Sequence, residues 1–124
     1  MPSRLRVLIA DDHPGVVRAV SRLLAMSYDV VGSVADGRGL LEATQRLQPN
    51  VIVLDMNLPD ADGLTVCRQI TQGNPEVKVI VFTAVDDPEV RQRALEAGAI
   101  AFVHKLALVD NLVAAFKQLD DHRR

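Results

Sequence analysis

Apolar residues in this chain are concentrated in five short runs of four to six residues. The runs are Leu5–Ala10, Val30–Ala35, Val51–Leu54, Val77–Phe82 and Ile100–Val103. Most of them are rich in valine and isoleucine, which favour strands. The first, third, fourth and fifth are almost continuously apolar, as is typical of parallel strands covered on both faces. The pattern therefore predicts five strands.

Between these runs the apolar residues recur every three or four positions, which is the period of an amphipathic helix. This period predicts five helices. The first begins near Pro14, the second spans Leu40–Leu47 and the third spans about Leu64–Thr71. The fourth runs from Asp87–Pro88 to just before Gly98, and the fifth has the apolar stripe Leu108, Leu112, Phe116 and Leu119. Strict alternation of strand and helix predicts an α/β fold with helices on both faces of a parallel sheet. Right-handed crossovers make a doubly wound sheet the simplest arrangement.

Length and composition limit the possible classes of protein. A chain of 124 residues fits one domain, predicted here as residues 1–124, with a core of about 5–119 and a tail or the start of a linker at 120–124. The net charge of −2 does not favour a broad basic surface for nucleic acid. The single cysteine, Cys67, excludes an internal disulfide, and no apolar run reaches membrane-spanning length. We therefore expect a cytoplasmic protein.

Polar residues that could take part in binding or catalysis follow four of the five predicted strands. Asp11 and Asp12 follow the first strand, Asp55 the third, Thr83 the fourth, and Lys105 comes just after the fifth. The carboxyl ends of parallel strands meet at one edge of the sheet, where ligands bind in open α/β folds. A lone aspartate after a strand more often caps a helix or forms a turn. Five such residues at corresponding positions favour a functional site.

Three carboxylates at one edge need a compensating charge. Two unit charges about 4 Å apart repel by roughly 4 kcal/mol at an effective dielectric near 20. Oxygen ligands favour a hard cation, which would be Mg²⁺, Mn²⁺ or Ca²⁺. Such an ion leaves one aspartate available as a nucleophile toward phosphorus, while Lys105 and Thr83 could hold phosphoryl oxygens.

At these residues the chain resembles the receiver domain of bacterial two-component response regulators, from about Leu5 to Leu119. The matching features are Asp11-Asp12, the segment Leu54-Asp55-Met56-Asn57-Leu58-Pro59-Asp60-Ala61-Asp62-Gly63, Thr83-Ala84, and Phe102-Val103-His104-Lys105. None of these features is specific to the family by itself, but their combination is. The resemblance implies a flavodoxin-like sheet with strand order 2-1-3-4-5.

The resemblance also implies a role for each residue of the site. Asp55 would be the phosphoacceptor, with Thr83, Lys105 and Phe102 as the catalytic and switch residues. Mg²⁺ would be held by Asp11, Asp12, Asp55 and the backbone carbonyl of Asn57. The implied protein is a signalling switch that promotes its own phosphorylation and dephosphorylation, and not an enzyme that turns over an external substrate.

The resemblance implies partners as well. A sensor histidine kinase would donate the phosphoryl group, and the fourth helix, fifth strand and fifth helix would form the output face, where a homodimer could assemble. The segment Asp11-Asp12-His13-Pro14 is similar to receivers that precede a helix-turn-helix DNA-binding domain, which this sequence does not contain. We expect an excised domain slightly more than a stand-alone receiver.

Three other functions fit the residues less well. A phosphatase of the haloacid dehalogenase type usually has Asp-x-Asp-x-Thr, whereas Met56-Asn57 follows Asp55. A receiver-like interaction module that has lost phosphorylation is disfavoured because the site residues are all present. A flavin or dinucleotide binder would need a glycine-rich or hydroxyl-rich loop after the first strand, and Gly37-Arg38-Gly39 is too short a match.

Some residues depart from the family pattern or stand apart from it. Leu106 follows the lysine where many relatives have proline or a polar residue, and Val85 is apolar beside the site. We expect Val85 to influence water access and Leu106 either to pack internally or to join an interface. The spacing of His13, His104 and His122 does not predict a metal site made of histidines.

Overall fold

The computed structural model describes residues 4–84, 87–105 and 108–122, with 108–111 and 120–122 described by their backbone alone. The strands are β1 (Arg6–Ala10), β2 (Asp29–Val34), β3 (Val51–Asp55), β4 (Asn57–Leu58), β5 (Ala61–Asp62), β6 (Lys78–Thr83) and β7 (Ala101–His104). The helices are α1 (Pro14–Ala25), α2 (Gly37–Leu47), α3 (Gly63–Gly73), α4 (Pro88–Glu96) and α5 (Leu108–His122). Val85 and Leu106 lie outside the described residues.

The long strands form one parallel sheet in the order β2-β1-β3-β6-β7. This order confirms the predicted 2-1-3-4-5 arrangement, since β6 and β7 are the fourth and fifth strands of the large sheet. The five predicted strands are all present, each within a residue of its expected limits. The short antiparallel pair β4–β5 was not predicted, and it folds the loop after β3 into a small hairpin.

Alternate residues of the central strands face opposite sides of the sheet, and both sides are covered. Leu8 and Ile52 belong to a core shared with α2, α3 and α4, whereas Val7 and Val53 belong to a core shared with α1 and α5. Because both faces of these strands are buried, they are continuous apolar runs in the sequence. The same arrangement explains the burial of Cys67, which packs as a small hydrophobe.

The helix starts are fixed by local chemistry. Asp36, Asp62 and Asp87 each accept a hydrogen bond from the first turn of the helix that they precede, as N-cap residues do. Pro14 and Pro88 occupy the first turns of α1 and α4, where their missing N–H groups are not needed. These residues fix the observed helix starts, and the cap at Asp36 begins α2 at Gly37, three residues before the predicted Leu40.

Helix α5 continues through His122, beyond the expected core limit at Leu119. Residues 120–122 are therefore the last residues of this helix, and the predicted limits of the domain core stay a prediction. None of the described helices combines the length and the apolar character needed to cross a membrane.

Candidate functional site

The sheet topology brings the predicted site residues to one edge. Asp11 directly follows β1, Asp55 and Thr83 are the last residues of β3 and β6, and Lys105 follows β7. Because these strands are parallel neighbours, their carboxyl ends lie side by side. The backbone N–H of Asp11 donates to the Val34 carbonyl at 3.0 Å, which fixes the chain where it leaves β1.

Lys105 is paired with two buried carboxylates. Its Nζ lies 3.1 Å from Asp11 Oδ2 and 3.4 Å from Asp55 Oδ1. The side chains of Asp11 and Asp55 are 0% and 2% exposed, and that of Lys105 is 17% exposed. The ammonium also lies 5.0 Å from the centre of the Phe82 ring, which adds a cation–π contact. The lysine is therefore held by charge and by an aromatic face.

Burial raises the pKa of the Asp55 carboxyl above its ordinary value of 3.8. The backbone N–H of Asn57, which donates to Asp55 Oδ1 at 3.3 Å, opposes that shift. The neighbouring charge of Asp11 raises the pKa further, and Lys105 lowers it. The ionised form of Asp55 thus lacks sufficient compensation from the protein alone, and added positive charge would stabilise it.

Two carboxylate oxygens at this site are buried without a hydrogen-bond donor among the described residues. They are Asp11 Oδ2 and Asp55 Oδ2. The contact of Lys105 with Asp11 Oδ2 is an ion pair that lacks hydrogen-bond alignment. Buried polar atoms in proteins are rarely left unsatisfied, so each such atom points to a missing partner.

A divalent cation fits this requirement. One ligand atom from each of Asp11, Asp12, His13 and Asp55 lies within 4.8 Å of the others. Carboxylate oxygens are the ligands that Mg²⁺ prefers. The residues present therefore suit a hard cation at the acidic cluster.

The loop after β3 is held in shape by the β4–β5 hairpin. The N–H of Gly63 donates to the Met56 carbonyl at 3.1 Å, and a Cβ at residue 63 would lie only 2.7 Å from the Met56 backbone. Glycine is required there by this close approach. Asn57, the first residue of β4, donates its backbone N–H to Asp55, and the use of its carbonyl as a metal ligand stays a prediction.

Asp60, at the tip of the hairpin, ties this loop to α2. Its Oδ1 accepts from the N–H of Gly37 at 2.7 Å and its Oδ2 from the N–H of Arg38 at 3.1 Å. These two hydrogen bonds lower the pKa of the Asp60 carboxyl below its ordinary value. A carboxylate at a helix N-terminus is favourably placed, and here it comes from a different part of the chain.

The two predicted switch residues occupy different environments. Thr83 is buried at the end of β6, beside His104 in the register of β6 and β7. Phe102 lies within β7 and is half-buried against the core formed with α2, α3 and α4. Thr83 thus lies at the edge of the sheet that carries the site, and Phe102 lies near that edge. The switch roles of both residues stay predictions.

Three contacts of the site were missed from the sequence. They are the imidazole of His13 against the acidic pair, the Phe82 ring beneath Lys105, and the bond from Asp60 to α2. His13 could have been suspected because it directly follows Asp12 in the same loop. Phe82 and Asp60 carried no comparable signal, because their partners are distant in sequence.

A doubly wound sheet of this order, with an acidic cluster and a lysine at its carboxyl edge, defines the class of receiver domains. Residues 7–117 match the model of the response regulator receiver domain family. The chain belongs to that family. It is thus a receiver domain of the kind found in the response regulators of two-component systems.

Individual relatives agree with this assignment. The chain is 31% identical over 117 residues to the response regulator GacA of Pseudomonas aeruginosa, covering 93% of this chain and 55% of GacA. It is 32% identical over 117 residues to the transcriptional regulatory protein DegU of Brevibacillus brevis, covering 93% of this chain and 50% of DegU. The chain thus spans about half the length of these curated relatives.

A solved structure gives the same result for the fold. The chain is similar to a two-component response regulator of the LuxR family from Aurantimonas sp. SI85-9A1, with a TM-score of 0.90 and 30% identity. The match covers 98% of this chain and 89% of that chain. The family assignment favours the receiver interpretation over the phosphatase and flavin-binding alternatives.

Proposed function

We propose that this chain is a phosphorylation-dependent switch that accepts a phosphoryl group on Asp55 from a sensor histidine kinase. The observation that carries the proposal is the state of Asp55 itself. Its carboxylate is buried, Lys105 lies 3.4 Å from Oδ1, and Oδ2 has no hydrogen-bond donor among the described residues. A nucleophile needs such an unengaged oxygen beside a positive charge.

The transfer would proceed by attack of an Asp55 oxygen on the phosphorus of a phosphohistidine. A P–O bond forms as the P–N bond breaks, and the electron pair of the broken bond stays on the imidazole nitrogen. Lys105 Nζ would pair with a phosphoryl oxygen, a role supported by its contact with the accepting carboxylate. Thr83, the last residue of the adjacent strand β6, would offer its hydroxyl to another.

Asp11, Asp12, Asp55 and the backbone carbonyl of Asn57 would hold Mg²⁺ at this edge. When bound, the ion neutralises negative charge on the carboxylates and on the transferred group. The residues of the chain do the positioning: the Asn57 N–H fixes Asp55 Oδ1, and the β4–β5 hairpin fixes Asn57. Attack of water on phosphorus would later return the carboxylate and release inorganic phosphate.

Phosphorylation would be read out through β6 and β7. Movement of the Thr83 hydroxyl toward the phosphoryl group would free space beside β7, and Phe102 would change its rotamer in response. The surface formed by α4, β7 and α5 would then contact a second copy or another output partner. DNA would be reached through a helix-turn-helix domain outside this sequence, which agrees with the transcriptional role named for DegU.

The first experiment is the intact mass of the protein after incubation with acetyl phosphate, with and without Mg²⁺. We expect a gain of one phosphoryl group that requires Mg²⁺ and is lost in Asp55→Asn. Asp29→Asn is the matched control, because Asp29 is an exposed aspartate at the opposite end of the sheet. Circular dichroism of each variant checks that its fold is retained.

The outcomes separate the two remaining interpretations. Undiminished labelling of Asp55→Asn would refute the assignment of the phosphoacceptor. Failure of the unchanged protein to gain mass under either condition would instead favour an interaction module that works without phosphorylation.

A further inference from the structure

His13 occupies an unusual position at the start of α1. It is the N-cap residue, with φ −99° and ψ 106°, yet its side chain makes no capping hydrogen bond. Serine, threonine, aspartate and asparagine are preferred at this position because they cap the helix. The aspartates Asp36, Asp62 and Asp87 do so in three other helices of this chain. The imidazole of His13 is turned elsewhere.

The imidazole contacts the acidic pair. Its Nδ1 lies 3.0 Å from Asp11 Oδ1 and 3.1 Å from Asp12 Oδ1. The backbone N–H of His13 donates to the same Asp11 oxygen at 2.8 Å, which holds the residue against the cluster. Nδ1 donates a hydrogen bond to these oxygens in the tautomer that carries its proton there, and it offers a lone pair to a metal in the tautomer protonated at Nε2. A potential nitrogen ligand therefore lies in the same cluster as the carboxylates that would take Mg²⁺.

The spacing of these atoms suits a six-coordinate ion. Ligand bonds of about 2.1 Å in an octahedron place adjacent ligand atoms about 3.0 Å apart. The two distances from His13 Nδ1 match that edge length, and the cluster as a whole spans no more than 4.8 Å. Asp11, Asp12 and Asp55 each offer one oxygen to the cluster, which gives a set of one nitrogen and three oxygens.

We propose that His13 Nδ1 is a ligand at this site for divalent transition ions, of which Ni²⁺ is the test case. The inference rests on the proposed function, because it uses the same acidic cluster. Imidazole suits nickel and zinc, whereas Mg²⁺ is bound almost entirely through oxygen. His13 would thus raise the affinity of the site for transition ions above that of the carboxylates alone, and such ions would compete there with Mg²⁺.

The test is isothermal titration calorimetry of the full chain with Ni²⁺ and, separately, with Mg²⁺, comparing the unchanged protein with His13→Gln. Glutamine keeps a polar side chain but removes the imidazole. Because His13 is 64% exposed, the variant should fold normally, and circular dichroism checks this. His122→Gln is the matched control, since it removes a histidine in the last turn of α5.

We expect His13→Gln to weaken Ni²⁺ binding by about tenfold or more, since even indirect partners of metal ligands matter by roughly 10–100-fold. Mg²⁺ affinity should change far less, and His122→Gln should change neither. Millimolar Mg²⁺ should also raise the apparent dissociation constant for Ni²⁺ in the unchanged protein, which would place both ions at one site.

Three results would overturn the proposal. These are equal Ni²⁺ affinity in the unchanged protein and His13→Gln, an equal loss in His13→Gln and His122→Gln, and Ni²⁺ binding that Mg²⁺ cannot displace although Mg²⁺ itself binds. If the protein binds Mg²⁺ in the separate titration, each of these three results leaves the proposed function intact. Conversely, His13-dependent Ni²⁺ binding in a protein that does not bind Mg²⁺ would support this inference and contradict the magnesium site.

Discussion

Replacing Lys105 by methionine should destabilise the protein and at the same time strengthen Mg²⁺ binding. The ammonium lies 3.1 Å from Asp11 Oδ2 and 3.4 Å from Asp55 Oδ1. At an effective dielectric near 20, each contact represents about 5 kcal/mol of Coulombic attraction, before the cost of removing the charges from water. Methionine keeps much of the side-chain volume but leaves the two buried carboxylates uncompensated.

The net loss of folding stability should be smaller than the sum of these two Coulombic attractions. Breaking a buried ion pair by removing one partner typically costs about 3–5 kcal/mol. Lys105 retains some exposure, and Asp55, whose pKa is already raised by burial, can take up a proton to limit the repulsion. We therefore expect Lys105→Met to lower the free energy of unfolding by about 2–4 kcal/mol in the absence of divalent ions.

Magnesium should reverse much of this loss. An ion at 100 times its dissociation constant stabilises the folded state by about 2.7 kcal/mol. Without the competing ammonium, the affinity of the carboxylates for Mg²⁺ should rise at least about tenfold, which adds about 1.4 kcal/mol at the same concentration. Lys105→Met should therefore gain more stability from Mg²⁺ than the unchanged protein does.

The assay is urea unfolding at pH 7.5, with EDTA and with a fixed excess of Mg²⁺, for the unchanged protein and the variant. Lys78→Met is the control, because Lys78 is exposed at the opposite end of β6. It should change neither the stability nor the gain from Mg²⁺. An equal gain from Mg²⁺ in Lys105→Met and the unchanged protein would refute the electrostatic coupling between Lys105 and the acidic cluster.

Gly98→Ala should destabilise the protein by about 1–3 kcal/mol in urea unfolding, because residue 98 has φ +104° and a new Cβ would lie 2.6 Å from Thr71 Oγ1. Gly15→Ala, in open space within α1, should instead be neutral or stabilising by up to about 1 kcal/mol, and equal losses in both would contradict this reasoning. Asp60→Asn should lower stability at pH 7, and the difference from the unchanged protein should shrink as the pH falls below about 3.8. Because the pKa of Asp60 is lower in the folded state, its carboxylate stabilises the fold at pH values above the unfolded pKa, and that stabilisation is lost as the pH falls through the folded pKa. A stability difference between the two proteins that persists unchanged at pH 2.5 would argue against this role of Asp60. Cys67, fully buried and with its pKa raised to about 11, should resist iodoacetamide at pH 7.5 until urea unfolds the chain, and rapid alkylation of the native protein, followed by mass, would contradict its burial.

The site could be predicted in part because the fold is regular. Once alternating strands and helices predict a parallel sheet, every residue that follows a strand is assigned to one edge. Asp11, Asp55 and Lys105 were placed together by that rule, and the structure brings them within ion-pair distance. Nothing in the sequence indicated that two of their oxygens would be buried without a donor, because burial depends on the packing of the surrounding loops.

By itself, the sequence determined the five long strands, the helices between them and the edge at which the aspartates gather. Apolar periodicity, caps and strand propensity act over a few residues and can be read locally. Only the tertiary structure decided which side chains meet across the edge. Asp60 reaches Gly37, 23 positions away, and the Phe82 ring lies beneath Lys105 on a neighbouring strand. Such contacts depend on side-chain direction and loop shape, which are fixed only when the whole sheet and its helices have packed together.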